Sequence, residues 1–291
     1  MCKKVFVTYQ TLNCRGKLID LQTPKIMGII NINQDSFYKK SRTQSIDETL
    51  FRAEEMVNEG VHFFDVGAMS SRPGAELISI EEETNRLDGI VQALGTNFPH
   101  IPVSVDTIHS KVAKKVLEEG AAIINDISGG TFDEDMMETV GAFDAPFVAM
   151  HMKGRPKNMQ LNPVYDNVVT EVFDYFVARI NEAEKVGIVD LILDPGFGFA
   201  KNVTHNFQLL HFLDGFEVLR YPLLVGVSRK SFIQKTVNAN TKEALNGTTA
   251  VHMLALMKGA RILRVHDVRE AVEAVKIWEN FNSQQVVEMK F

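Results

Sequence analysis

At 291 residues, 45% hydrophobic and 23% charged, the chain has an ordinary globular composition and room for one large α/β domain. Its 31 basic and 37 acidic residues leave a formal net charge of −6, so there is no basic surplus to neutralise a nucleic-acid backbone; a small anion held by a few local cations is still allowed. Cys2 and Cys14 form no CxxC pair and no Cys/His cluster, which argues against a zinc site or disulfide framework and for free thiols in a reducing compartment. The start, MCKKVFVTYQ, lacks the apolar core of a signal peptide, and no apolar run approaches the length that spans a bilayer, so a cytoplasmic protein without a membrane partner is expected.

Residues 1–24 read as an N-terminal hairpin, with strands at 4–7 and 17–21 around the polar turn Asn13-Cys14-Arg15-Gly16. From residue 25 short apolar runs alternate with segments of helical period. Strands are predicted at 25–32, 62–66, 103–105, 122–125, 147–150, 191–193, 223–227 and 261–265. Helices are predicted at 46–59, 81–98, 109–119, 134–143, 167–186, 206–219, 241–258 and 268–282, the first opened by a capping box of Ser45 with Glu48. Gly60, Gly120, Gly187 and Gly259 sit where helices would end. Strict alternation of strand and helix predicts a (β/α)₈ TIM barrel, one domain over 25–291 with the hairpin packed on it. A doubly wound sheet is the alternative, but no GxGxxG follows the first strand.

In such a barrel chemistry gathers at the strand C-termini and the loops after them. Every predicted strand ends on polar groups there. Asp106, Asn125 and Asp194 are short acceptors that suit a flat heterocycle with several N–H donors, such as a 2-aminopyrimidinone edge. Asn31, Arg72, Lys230, Arg264 and His266 are polar or cationic, and the ends of the last two strands are the usual phosphate position of the fold. Plainer readings apply to some neighbours. Asp126 and Asp267 read as helix caps, Asp65 as an acceptor for its own loop, Arg229 as an exposed neighbour of Lys230, and Met150 as apolar wall. His151 is left open between structure and function.

At these residues the sequence resembles the dihydropteroate synthase family of the pterin-binding barrel superfamily. The matching stretches are Met27-Gly-Ile-Ile-Asn31 through Asp35-Ser-Phe37, Asp65-Val-Gly-Ala-Met-Ser-Ser-Arg-Pro-Gly74, Val103-Ser-Val-Asp-Thr107, Ile124-Asn-Asp-Ile-Ser-Gly-Gly130, Met150-His-Met-Lys-Gly154, Asp194-Pro-Gly-Phe-Gly-Phe199 with Lys201-Asn202, Gly226-Val-Ser-Arg-Lys-Ser231 and Arg264-Val-His-Asp-Val268. The resemblance implies condensation of (7,8-dihydropterin-6-yl)methyl diphosphate with 4-aminobenzoate, inhibition by sulfonamides, a Mg²⁺ ion and a homodimer. It implies that Asp106, Asn125, Met150, Asp194, Lys230 and Arg264 hold the pterin, and that Asn31, Ser71, Arg72, Arg264 and His266 hold the diphosphate. Asn31 would also ligate Mg²⁺. Phe37, Phe199 and Ser231 would receive the aminobenzoate. Asp35, Asp194, Lys230 and Arg264 would be catalytic. A pterin-dependent methyltransferase would share the acceptors without needing Arg72, Lys230 and Arg264. The chain departs from the family at Asn33-Gln34, where Thr-Pro is usual, and at Tyr38-Lys39-Lys40-Ser41, where glycines are usual.

Overall fold

The computed structural model describes residues 10–32, 42–69, 77–155 and 163–284. Two short strands, β1 (Thr11–Cys14) and β2 (Lys17–Asp20), precede β3 (Lys25–Asn31), β4 (Phe63–Gly67), β5 (Val103–Asp106), β6 (Ile123–Asp126), β7 (Phe147–Met150), β8 (Leu191–Asp194), β9 (Leu223–Val225) and β10 (Ala260–Val265). The last eight pair in parallel, in the order β10-β3-β4-β5-β6-β7-β8-β9, and close on themselves. The predicted TIM barrel is therefore the fold, and the open doubly wound sheet is not.

Alternation along each strand sets what lies inside. Met27, Phe63, Ile123, Val148, Ile192, Leu224 and Ile262 form one buried cluster at the N-terminal end of the barrel. Because side chains two apart share a face, the next inward position on several of these strands is polar: Asp65, Asn125, Asp194 and Arg264. The intervening residues Phe64, Val66, Ile124, Ala149, Leu193, Val225 and Leu263 belong to the outer cluster beneath the helices. Such short strands read as solid apolar runs because both faces are covered.

The hairpin supplies Leu12, Cys14 and Leu21 to the inner cluster and so stoppers the N-terminal end. Arg15 and Gly16 both have left-handed backbone, φ 54° and 83°, the signature of a two-residue type I′ turn. Cys14, expected in the turn, is instead a buried strand residue, because the shorter turn leaves it in register with Lys17. The strand predicted at 4–7 lies outside the described residues. Asn13 N donates to Asp190 Oδ2 (3.1 Å) and Arg15 to the Leu117 carbonyl (3.1 Å), tying the hairpin to the barrel underside.

Between the strands lie α1 (Arg42–Glu59), α2 (Ile80–Leu87), α3 (Ile90–Asn97), α4 (Ser110–Glu118), α5 (Met136–Gly141), α6 (Val168–Lys185), α7 (Val203–His211), a 3₁₀ segment (Leu213–Leu219), α8 (Ser231–Val237), α9 (Leu245–Met257) and α10 (Val268–Asn282). Four predicted helices differ, and α8 falls in none of the predicted ranges; the helix predicted over 241–258 begins only at Leu245. The first begins earlier, so Ser45 is no cap; it lies inside α1, where its carbonyl accepts the Thr49 hydroxyl. The helix predicted over 81–98 breaks into α2 and α3 at Gly89, whose φ of 76° ends one ladder before the next begins. The helix predicted over 206–219 starts at Asn202, whose side chain caps His205 N, and tightens to 3₁₀ after His211. The helix ends at Gly60, Gly120, Gly187 and Gly259 have left-handed backbone as expected. No helix among the described residues is long and apolar enough to cross a membrane.

Leu12 is 1% exposed at the end of the barrel remote from the strand C-termini. Leu12→Ala should lower unfolding free energy by about 2–5 kcal/mol in a urea titration while leaving ligand affinity at the strand C-termini near its original value. A loss of affinity there as large as the loss of stability would refute this separation.

Candidate active site

Arg264 follows Ile262 on the inward face of β10 and forks between two carboxylates. Its Nε donates to Asp65 Oδ2 at 2.6 Å and its Nη2 to Asp106 Oδ2 at 2.9 Å. Asp65 also accepts from Asn125 Nδ2 at 3.2 Å, and Asn125 is the register partner of Asp106. One interaction set thus links β4, β5, β6 and β10. The Asp65 carboxylate points inward and meets the guanidinium, a partner its strand-end position had not suggested; most of the loop it was expected to hold, residues 70–76, lies outside the described residues. Two buried carboxylates share one cation, so the Asp106 carboxyl is raised: burial disfavours its charge and Asp65 repels it, against the pull of Arg264. Burial also works against the Arg264 charge, but Asp65 and Asp106 outweigh it and hold Arg264 above its usual range.

Asp194 ends β8 beside Met150 of β7 in register. Its Oδ1 accepts from Gly196 N at 2.7 Å. Burial raises its carboxyl, and Lys230 is the strongest of the cations that oppose this. Lys230 is the N-cap residue of α8. Its ammonium donates to the Phe197 carbonyl and lies 4.6 Å from the centre of the Phe199 ring. Burial lowers Lys230 to about 8, opposed by Asp194 and reinforced by Arg264. Lys230 and Arg264 both flank Gly226: a Cβ there would stand 3.9 Å from Lys230 Nζ and 3.8 Å from Arg264 Cβ. The acceptors, the ammonium and the guanidinium therefore share one mouth. Met150 packs with Phe199, Met69, Ile108, Ile127 and Ala200 as an apolar rim, as its wall reading predicted.

His266, just past β10, has its amide 3.3 Å and its Nδ1 3.2 Å from Ser228 Oγ. Asn31 ends β3 and is exposed, and Ser231, also exposed, opens α8. Asp35, Phe37, Ser71 and Arg72 lie outside the described residues. Among the described residues no group of three or more His, Cys, Asp or Glu is placed to hold a metal.

Several neighbours have structural work. Arg229 is no exposed bystander: it forks onto Asp267 with two 2.9 Å bonds and donates to the Thr241 and Lys242 carbonyls. Asp267 spends its carboxylate there and caps no helix amide. Asp126 accepts from Ser128 N, Ser128 Oγ and Gly130 N, fixing the turn after β6 rather than capping α5. Two groups escaped sequence reasoning. Glu83 is fully buried with Oε2 2.6 Å from His109 Nδ1, a bond that raises the imidazole; the apolar neighbours of Glu83 in α2 were its only signal. Lys201 is buried behind Phe199 and bonds His151, so His151 has a structural partner.

The family model for pterin binding enzymes matches residues 27–266. The chain is 42% identical to dihydropteroate synthase of Escherichia coli (strain K12) over 270 residues, 92% of this chain and 95% of that protein. It is 40% identical to the Synechocystis enzyme of the same name over 255 residues, 87% of this chain and 88% of that one. Among solved structures, Yersinia pestis dihydropteroate synthase in a sulfonamide complex superposes with a TM-score of 0.88 at 39% identity, covering 94% of this chain and 100% of that one. Xanthomonas albilineans dihydropteroate synthase with 4-aminobenzoic acid gives 0.88 at 34% identity, covering 95% and 99%. With the whole barrel matched from first strand to last, this chain belongs to the dihydropteroate synthase family of pterin-binding enzymes.

Proposed function

We propose that this mouth joins (7,8-dihydropterin-6-yl)methyl diphosphate to 4-aminobenzoate, releasing diphosphate and leaving 7,8-dihydropteroate. The observation that carries the reading is the convergence of Asp106, Asn125, Asp194, Lys230 and Arg264 on one opening. Asp194 and Asn125 accept from the N–H edge of the pterin, with Asp106 beside them and Met150 as apolar wall. The Lys230 ammonium donates to a ring acceptor on the opposite side. Arg264 lies along the ring and, with His266, Asn31, Ser71 and Arg72, draws off the diphosphate charge. As the leaving group departs, positive charge grows on the methylene conjugated to the ring; Asp194 and, from the first loop, Asp35 stabilise it electrostatically. The arylamine then attacks, with Phe37 and Phe199 against its ring and Ser231 at its carboxylate. The reaction needs no covalent enzyme intermediate. Sulfonamides, which the Yersinia pestis relative binds, would occupy the aminobenzoate position.

A Mg²⁺ ion fits this donor set as a substrate-borne cation. Mg²⁺ keeps several waters and takes one or two protein oxygens plus phosphates, and the exposed Asn31 side chain at the end of β3 offers such an oxygen. When bound, the ion would lower the charge of the leaving diphosphate. We place the protein in the cytoplasm, where Cys14 stays a thiol.

The family expectation of a homodimer also has support on the surface. Leu254 and Met257 of α9 and Ile277 and Phe281 of α10 are each at least half exposed, and the two helices pack side by side. A second copy covering that face would bury them. Sedimentation should give twice the chain mass, and Met257→Glu should shift it toward one; a monomeric wild type would rule the dimer out.

Diphosphate release on mixing both substrates with Mg²⁺ tests the reaction itself. Its rate should fall as pH rises through about 8, where Lys230 loses the proton that makes it a cation. Lys230→Arg should lack that limb, and a wild-type profile flat to pH 10 would remove Lys230 from the site. Asp194→Asn should weaken pterin binding by roughly 2 kcal/mol, about thirtyfold by calorimetry, because a charged acceptor is replaced by a neutral one. Unchanged affinity would contradict the acceptor role.

A further inference from the structure

Lys201 is assigned no contact with substrate, yet its buried head meets four acceptors. It is 3% exposed. Its Nζ lies 3.0 Å from His151 Nδ1, 3.3 Å from the His151 carbonyl, 3.0 Å from the Gly196 carbonyl and 3.0 Å from the Phe199 carbonyl. An ammonium has three hydrogens for these four acceptors. They come from two separate strand exits: His151 follows β7, and Gly196 and Phe199 follow β8.

The β8 exit is an unusual piece of backbone. Gly196, Gly198 and Ala200 all have positive φ, at 67°, 81° and 48°. Ala200 is a side-chain-bearing residue in the left-handed region, which carries a conformational cost. The two exits also touch closely, since a Cβ on Gly196 would fall 2.0 Å from the His151 carbonyl. Carbonyls crowded in this way need a common donor. Burial lowers the Lys201 ammonium to about 7; Asp194 opposes this and Lys230 adds to it. A buried cation without a direct carboxylate contact is costly, and the converging carbonyl dipoles supply the compensation.

What this exit carries is the far side of the active site. The Phe197 carbonyl accepts the Lys230 ammonium, the Phe199 ring lies against it, and a Cβ on Gly198 would fall 2.8 Å from Lys230 Cδ. We propose that Lys201 is a positioning residue of the synthase: it clamps the β7 and β8 exits together, and through the Gly196–Ala200 backbone it sets where the Lys230 ammonium and the Phe199 ring stand. This rests on the synthase reading above, which turnover by the wild type tests independently.

The experiment compares wild type with Lys201→Met, Lys201→Gln and Lys201→Arg, by circular dichroism and by kcat and KM for each substrate. Lys201→Met should keep a cooperative unfolding transition but raise KM for 4-aminobenzoate, and weaken pterin binding in calorimetry, by roughly ten- to a hundredfold, the scale on which misplaced supporting groups act. Lys201→Gln, which retains donors, should lose less. Lys201→Arg should not rescue, because a planar fork cannot meet a four-sided cluster of acceptors. Variants that are destabilised but keep wild-type KM and pterin affinity would overturn the proposal. So would loss of folding in both Lys201→Met and Lys201→Gln, since the tie would then serve the barrel and not the site.

Discussion

The fork of Arg264 onto Asp65 and Asp106 is the contact on which the active end depends. β10 pairs with β3 to close the ring, and its arginine reaches beyond that neighbour to β4 and β5. Charges this deep are tolerated only when paired and hydrogen-bonded. Asn125 completes the set by donating to the same Asp65. In the proposed reaction the arrangement would hold a cation ready for the anionic leaving group and acceptors in place for the heterocycle. It also stops those acceptors from collapsing onto a neighbouring backbone.

A second assembly faces it across Gly226. Among the described residues Lys230 is held by a carbonyl and an aromatic face, with no carboxylate in contact. Asp194 is anchored by one backbone amide, with its other oxygen uncommitted to that bond. These groups are thus electrostatically coupled without saturating one another. Burial raises the Asp194 carboxyl and lowers the Lys230 ammonium, moving both toward neutral pH. A ligand that supplies N–H donors to one and an acceptor to the other meets partners already desolvated.

Much of this was legible along the chain because a parallel barrel writes its site at the ends of short apolar runs. Phe147–Met150 and the helix over residues 268–282 fall where the pattern put them, since period and caps agree there. Polar strand ends marked Asp106, Asn125, Asp194 and Arg264. Partner choice was not legible. Asp65 and Asp267 looked alike in sequence, yet one meets Arg264 in the barrel and the other Arg229 at its rim. Local sequence cannot tell an inward carboxylate from a capping one when its cation lies far along the chain. Helix breaks were missed for a related reason: Gly89 is tolerable within a helical pattern, and only packing decides that the chain turns there. Lys201 gave a signal only as a residue of the motif after β8, because its acceptors are backbone carbonyls, which carry no sequence signature.

The hairpin beneath the barrel has a consequence for traffic. With Leu12, Cys14 and Leu21 packed into one end, the interior is a cup and not a tunnel. Anything lodged against the inward strand positions must therefore come and go through the single open rim at the strand C-termini.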